Sequence, residues 1–167
     1  MNAGATITVG VVVERSDSAS EWARYYWRPA GILPGAPDTA PWTKLGEAGD
    51  RASFYAGSAD VELHRTEVAN YRENLESGAP LMWVLLRPVD GDPPYELGSV
   101  TADPAEGQAM SEAGADLVEA VPMPPAIQET VAAFIAEHHV KPAPFVKRDR
   151  DRADPEALAR RSPMERK

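Results

Sequence analysis

The feature that most constrains this chain is a change in composition at Lys141, which separates an acidic, patterned body from a basic tail. Residues 1–140 contain 21 Asp/Glu and 8 Lys/Arg, whereas residues 141–167 contain 5 and 9, so the formal net charge changes from −13 to +4. The apolar residues of the tail are too few to offset the roughly 1–2 kcal/mol per residue that backbone ordering costs. We therefore predict a single domain over residues 1–140 and a basic, largely disordered tail over residues 141–167.

Composition narrows the classes of protein to consider. The hydrophobic fraction of 43% is typical of a globular protein, and the absence of Cys excludes disulfides, Cys-ligated zinc, iron–sulfur clusters and a thiol nucleophile. No basic region precedes the first apolar run, and no stretch approaches the roughly 18 apolar residues of a membrane span, so we expect a cytoplasmic protein. The net charge of −9 argues against duplex nucleic acid as a partner, because phosphate binding requires a concentrated basic face.

The first half of the body predicts β-structure. Residues 7–15 are rich in β-branched side chains and predict a central strand. Residues 21–33 alternate along a strand. Because Pro29 lacks a donor, this strand either lies at a sheet edge or breaks there. Residues 33–50 contain three Pro and three Gly and predict a long loop pinned by Trp42. Two short alternating runs predict a hairpin that turns at Gly57.

The second half predicts alternating helices and strands. Asp103, Pro104 and Glu106 have the spacing of an N-cap, a first helical residue and a third, and Gly78 is placed to end an earlier helix. The predicted elements are a helix over 66–77, strands over 81–86 and 95–102, a helix to about 113, a strand over 117–121 and a helix over 125–139. Together these patterns predict an α+β fold with a single mixed, mostly antiparallel sheet of about six to seven strands and two to three helices.

The last helix has the clearest period. Its apolar stripe is formed by Ile127, Val131, Phe134, Ile135 and His138, the pattern of a helix laid against a sheet. The most apolar strand contains Trp83. We therefore expect Trp83 and Phe134 to be buried, each facing the other's element.

Titratable clusters give weak signals for chemistry. The adjacent His138 and His139 point about 100° apart on a helix and cannot chelate one ion together, even with His64 as a third ligand, so packing competes with a metal site. The acidic residues Glu62, Glu67, Glu73 and Glu76 could pair for acid–base catalysis or form a solvated face. No phosphate-binding loop, dinucleotide fingerprint or nucleophile motif is present. We predict no catalytic residue, no metal site and no cofactor.

Two segments carry candidate partner-binding residues. Alternation places Trp22, Arg24, Tyr26 and Arg28 on one face of the early strand, where they could form a binding hot spot or stack on bases, or could simply shield an edge. In the tail, Phe145 and Val146 form an apolar anchor beside Lys147 and Arg148. That segment could be a linear motif for a protein partner or a solvated extension.

Several longer motifs together resemble one known family. They are VGVVVER, WRPAGILPG, WVLLRP, VTADP, VEAVPMP, AEHHV and PFVKRDRDR. On these segments the chain resembles an uncharacterised bacterial family, a domain of unknown function that is often met near formate dehydrogenase genes. Some members carry the label molybdopterin-guanine dinucleotide biosynthesis protein A. True enzymes of that class open with a Gly-rich loop ending in a catalytic Lys, whereas this first strand reads VGVVVERSDSAS.

The resemblance implies a role near molybdenum or tungsten formate dehydrogenase. Our first hypothesis is a non-catalytic accessory or assembly protein that binds formate dehydrogenase or its maturation machinery. The alternative is an enzyme that acts on a nucleotide or pterin cofactor by molybdopterin guanylyl transfer.

Overall fold

Seven strands form two antiparallel sheets in the computed structural model, which describes residues 4–18, 24–114 and 116–138. The elements are β1 (Gly4–Asp17), β2 (Tyr25–Leu33), β3 (Thr43–Ala48), β4 (Arg51–His64), α1 (Val68–Glu76) after a 3-10 turn (Arg65–Glu67), β5 (Leu81–Pro88), β6 (Tyr95–Thr101), α2 (Pro104–Ala113), β7 (Leu117–Pro122) and α3 (Pro125–His138). The α+β class and the antiparallel pairing are confirmed. The strands are divided between two sheets rather than joined in one, with the orders β2-β1-β4-β3 and β6-β5-β7.

The two sheets enclose one core. Strand β2 runs beside β7, and β4 runs beside β6, although neither pair belongs to a common sheet. Fully buried side chains come from both sheets, among them Val9, Val11 and Val13 of β1 and Met82, Val84 and Leu86 of β5. The predicted central position of the first strand is confirmed, because β1 lies between β2 and β4. The predicted edge position of β2 is also confirmed.

The predicted hairpin at Gly57 is wrong, because residues 51–64 form one continuous strand. Val11 pairs with Gly57 and Val12 with Tyr55, so Ala56 is an extra residue in β4. Gly57 has a φ of +130°, which its lack of a side chain allows. The pattern that indicated a turn therefore marks a β-bulge, which bends and twists the strand without ending it.

The predicted loop over 33–50 contains a strand that the sequence pattern did not reveal. All six residues of β3 are exposed, so the strand has no alternation of polar and apolar residues. The expected anchoring by Trp42 is confirmed: its backbone N–H donates to the carbonyl oxygen of Tyr55, and its ring lies 6.0 Å from that of Trp27.

Local capping signals fix the helix ends as predicted. The Asp103 carboxylate accepts a hydrogen bond of 2.9 Å from the backbone N–H of Ala105 at the start of α2. Gly114 ends that helix with a φ of +86°, and Gly78 follows α1 with a φ of +91°. Such left-handed residues satisfy the last carbonyls of a helix.

The buried Asn74 side chain ties α1 to the second sheet. Its amide nitrogen donates to the carbonyl oxygens of Leu81 at 2.8 Å and Ala102 at 3.0 Å. Its amide oxygen accepts from the backbone N–H of Leu81 at 3.0 Å. Because this one side chain replaces three missing backbone partners, it fixes where α1 meets β5.

The apolar stripe of α3 is buried at Ile127, Val131 and Phe134 and half-buried at Ile135 and His138, but it does not face Trp83. Phe134 lies 6.1 Å from the ring of Tyr71 in α1. Trp83 is only half-buried and packs against Gly107 of α2. The predicted burial of Phe134 is therefore confirmed, whereas the predicted burial of Trp83 against the last helix is wrong. Within the described part of the chain, no helix combines the length and the apolar content needed to span a membrane.

Candidate partner-binding surface

The outward face of β2 presents Tyr26 and Arg28. The Tyr26 side chain is 52% exposed, whereas its neighbour Trp27 is only 8% exposed. The Arg28 Nε atom lies 3.6 Å from a carboxylate oxygen of Glu14, the residue opposite it on β1. The predicted alternation along this strand is therefore confirmed. Trp22, which was expected on the same face, lies outside the described residues.

Arg24 occupies a different place from the other two. It precedes the first residue of β2, and its guanidinium lies 5.2 Å from the centre of the Tyr25 ring. It therefore reaches toward the aromatic face of the strand rather than standing in line with Tyr26 and Arg28. Sequence alternation cannot place a residue that lies just before the strand begins.

Four aromatic rings meet on the inner side of the same strand, and we call them the aromatic cluster: Tyr25, Trp27, Trp42 and Phe54. Trp27 is its centre, with ring centroids 6.2 Å from Tyr25, 6.0 Å from Trp42 and 5.6 Å from Phe54. The first two contacts are edge-to-face, a geometry that matches the negative face of one ring to the positive edge of the next.

The half-buried Arg15 lies against this cluster. Its guanidinium is 4.2 Å from the centre of Tyr25, 5.1 Å from Phe54 and 5.8 Å from Trp27. The exposed Glu47 has a pKa held below its ordinary value mainly by Lys44, with only a minor contribution from Arg15. Stacking holds a guanidinium plane but leaves its in-plane N–H donors available.

Four arginines gather at this end of the acidic body, and we call them the arginine corner: Arg15, Arg24, Arg28 and Arg51. They are four of the eight Lys/Arg in residues 1–140. Glu14 pairs with Arg28 at 3.6 Å and with Arg51 at 3.5 Å. Among the described residues, no carboxylate forms an ion pair with Arg15 or Arg24. The two therefore differ from Arg28 and Arg51, which share Glu14.

A cleft of about 430 Å³ opens beside the aromatic cluster, and we call it the end cleft. It lies between the start of β2 and the turn that joins β5 to β6. Its lining residues are Arg24, Tyr25, Trp27, Gly91, Asp92, Pro94 and Tyr95. The volume is in the range of small binding sites, and the aromatic walls with a few charged groups are typical of such sites.

The other candidate clusters have structural explanations. The ring of His138 lies 4.4 Å from that of Phe134, which confirms the packing interpretation. His64 lies 3.6 Å from a carboxylate oxygen of Glu62. No group of three His, Asp or Glu side chains in the described residues could hold a metal ion. His139 lies outside the described residues.

The sequence interpretation missed Arg15, Asp92 and Tyr95. One signal was available for Arg15, because strand alternation places it on the same face as the buried Val11 and Val13. No comparable signal existed for Asp92 and Tyr95, which reach the cleft only because the two sheets are packed together. The predicted tail residues Phe145, Val146, Lys147 and Arg148 all lie outside the described residues.

Comparisons with known proteins give one match. No curated protein and no solved structure matches the chain significantly. Over residues 8–149 the chain matches the family described as "Protein of unknown function (DUF3305)", and it belongs to that family.

Proposed function

We propose that this protein is a non-catalytic accessory protein that binds formate dehydrogenase or one of its maturation factors. The observation that carries the proposal is the exposed Tyr26 beside Arg28 on a strand held rigidly by β1. Tyr and Arg are enriched among residues that dominate binding energy at protein interfaces. The identity of the partner comes from the resemblance to a family met near formate dehydrogenase genes.

The local structure favours binding at this face. Tyr26 pairs with Ser16 and Arg28 with Glu14 in the β1–β2 register, so the backbone at both positions is fixed before a partner arrives. The Glu14 carboxylate also restrains the Arg28 side chain. Binding then loses less conformational entropy than it would with a mobile loop.

The tail would supply a second attachment. Phe145 and Val146 would anchor it, with Lys147 and Arg148 pairing with acidic groups of the same partner. Two linked contacts bind more tightly than either one alone, because the second becomes intramolecular.

Affinity capture from the native host tests the proposed partner. We expect the wild-type chain to recover a formate dehydrogenase subunit or maturation protein, and Tyr26→Ala to reduce the recovery. The matched control is Leu45→Ala, because Leu45 is 51% exposed but lies on β3. In the tail, Phe145→Ala should reduce recovery more than Arg161→Ala. Equal recovery by the Tyr26→Ala and Leu45→Ala variants would refute the assignment of partner binding to the outward face of β2.

Deletion of the gene tests the biological role. We expect reduced formate dehydrogenase activity, restored by the wild-type chain but not by the Tyr26→Ala variant. Full activity in the deletion strain would refute the proposed role. Turnover of GTP and molybdopterin by the purified protein would instead support the enzymatic alternative.

A further inference from the structure

The end cleft presents charges that the described residues do not pair. Arg24 stands at one wall and Asp92 at another, and neither forms an ion pair within the described part of the chain. Between them lie the rings of Tyr25, Trp27 and Tyr95. An apolar group of a ligand would contact the rings, while a charged group beside it would meet one of the two walls.

Arg15 determines which sign of charge the cleft favours. Its guanidinium stacks 4.2 Å from the centre of the Tyr25 ring, and that of Arg24 lies 5.2 Å from the same centre. An aromatic ring attracts cations through its electron-rich face. Here two guanidinium groups already lie against that ring, so a ligand cation would compete with them for its face. At the Arg24 wall an anionic group is therefore favoured, whereas Asp92 stands at the other wall.

The acidity of the remaining body favours a short anionic segment over a long polyanion. The arginine corner holds four of the eight Lys/Arg of residues 1–140, whose formal net charge is −13. A nucleic acid strand extending beyond the corner would meet repulsion, because its charge continues along its length. A short peptide segment can place one carboxylate at Arg24 and no charge elsewhere.

We propose that the end cleft binds an extended segment of a protein partner in which an aromatic or proline side chain fills the cleft and a neighbouring Asp or Glu pairs with Arg24. Aromatic-lined grooves bind extended proline-containing segments in this manner, with nearby charges setting the orientation. This inference rests on the proposed function, because it specifies what the partner offers. It adds a recognition site on the opposite side of β2 from Tyr26.

Selection from a library of random short peptides displayed on phage tests the inference with the full-length protein. The wild-type chain should enrich peptides with an aromatic residue or proline next to Asp or Glu. The Arg24→Glu variant should enrich peptides with Lys or Arg at that place instead. The control is Arg65→Glu, which makes the same charge change at an exposed residue. Arg65 follows the last residue of β4, whereas the arginine corner contains Arg51 at the start of that strand. The Arg65→Glu variant should enrich the same peptides as the wild type.

Affinity measurements on the most enriched synthetic peptide make the test quantitative. Arg24→Ala should raise its dissociation constant roughly tenfold, because a charge-assisted hydrogen bond is lost. Arg65→Ala should leave it unchanged. Melting temperatures of both variants should match that of the wild type, since Arg24 is exposed and makes no ion pair with a described residue.

Three results of the peptide and oligonucleotide experiments would overturn the inference. One is the absence of any enriched motif, and another is a motif that persists unchanged in Arg24→Glu. The third is tight, Arg24-dependent binding of a labelled single-stranded oligonucleotide, which would assign the cleft to nucleic acid. If capture of the formate dehydrogenase partner depends on Tyr26 but not on Arg24, the proposed function stands and the cleft inference fails. If a peptide binds through Arg24 while no formate dehydrogenase partner is captured, the cleft inference stands and the proposed function fails.

Discussion

Replacing Gly107 by Ala has two opposing effects on stability, a gain in helix preference and a steric conflict with Trp83. Gly107 lies inside α2, where Ala is favoured over Gly by about 0.8–1.0 kcal/mol. However, a Cβ atom at this position would lie 2.7 Å from Cδ1 of Trp83, and closer still to Cγ and Cδ2. Real Cβ contacts this short essentially do not occur, so either the ring or the helix must move.

The steric effect should outweigh the helix preference. Cγ lies on the axis of χ2, so rotation about the Cβ–Cγ bond of Trp83 cannot relieve this contact. Relief requires a change of χ1 that takes the ring out of its packed position, or a shift of α2 or β5. Overpacking typically destabilises by about 1–3 kcal/mol, and simultaneous contact with three ring atoms places this case near the upper end. Subtracting the helix preference leaves a net loss of about 2 kcal/mol in the free energy of unfolding.

Equilibrium unfolding in urea of a double-mutant cycle measures this effect. Gly107→Ala should destabilise the wild type, but in a Trp83→Ala background it should stabilise by about 1 kcal/mol, because the ring is gone. The control Ala109→Gly, at an exposed position of the same helix, should cost about 1 kcal/mol in both backgrounds. If Gly107→Ala stabilises the protein that still contains Trp83, the described packing of α2 on β5 is refuted.

Four further variants give results that can be anticipated. Phe134→Ala should lower the free energy of unfolding by about 3–5 kcal/mol in urea titrations, and a loss below about 1 kcal/mol would show that α3 does not shield the core. Burial raises the pKa of the Tyr71 hydroxyl. The protonated hydroxyl therefore contributes stability at neutral pH, and this contribution is lost as the pH rises above about 10. In urea unfolding at alkaline pH, Tyr71→Phe should show a smaller loss of stability with rising pH than the wild type. The same variant loses the hydrogen bond from His64 N–H and should cost about 0.5–1.5 kcal/mol at neutral pH by urea unfolding. Asn74→Ala should cost about 1–3 kcal/mol or more by the same method, since it leaves buried backbone groups unpaired. Truncation after Lys141 should change the melting temperature by less than about 4 °C, and a larger fall would mean that the tail packs on the body.

Features encoded by a few neighbouring residues were predictable from the sequence. The start of α2 needed only Asp103 and Pro104, because an N-cap forms within one turn. The alternation along β2 likewise gave the exposure of Tyr26 without knowledge of any other strand. These features depend on interactions within a few residues, so the fold cannot easily override them.

Features that depend on strand partners were not predictable. Gly57 is compatible with both a turn and a bulge, and only the unbroken pairing of β4 with β1 distinguishes them. The strand β3 lacks a buried face and therefore lacks the signal that identifies strands. The division of the strands into two sheets likewise depends on which strands pair, and no pattern within a single strand shows this.

The location of the candidate site follows from a mismatch in strand length. At about 3.3 Å per residue, the 14 residues of β1 span roughly 46 Å, whereas the 8 residues of β5 span roughly 26 Å. Even after bending at the bulges, the first sheet must extend past the second. The inner face of β1 changes accordingly from the buried Val9, Val11 and Val13 to the half-buried Arg15. An overhanging apolar face would be exposed to water, and here it is covered by the aromatic cluster, the stacked arginine and the β5–β6 turn. The end cleft is the space that this covering leaves open, which is why Arg15 and Arg24, which make no ion pair with a described residue, lie beside it.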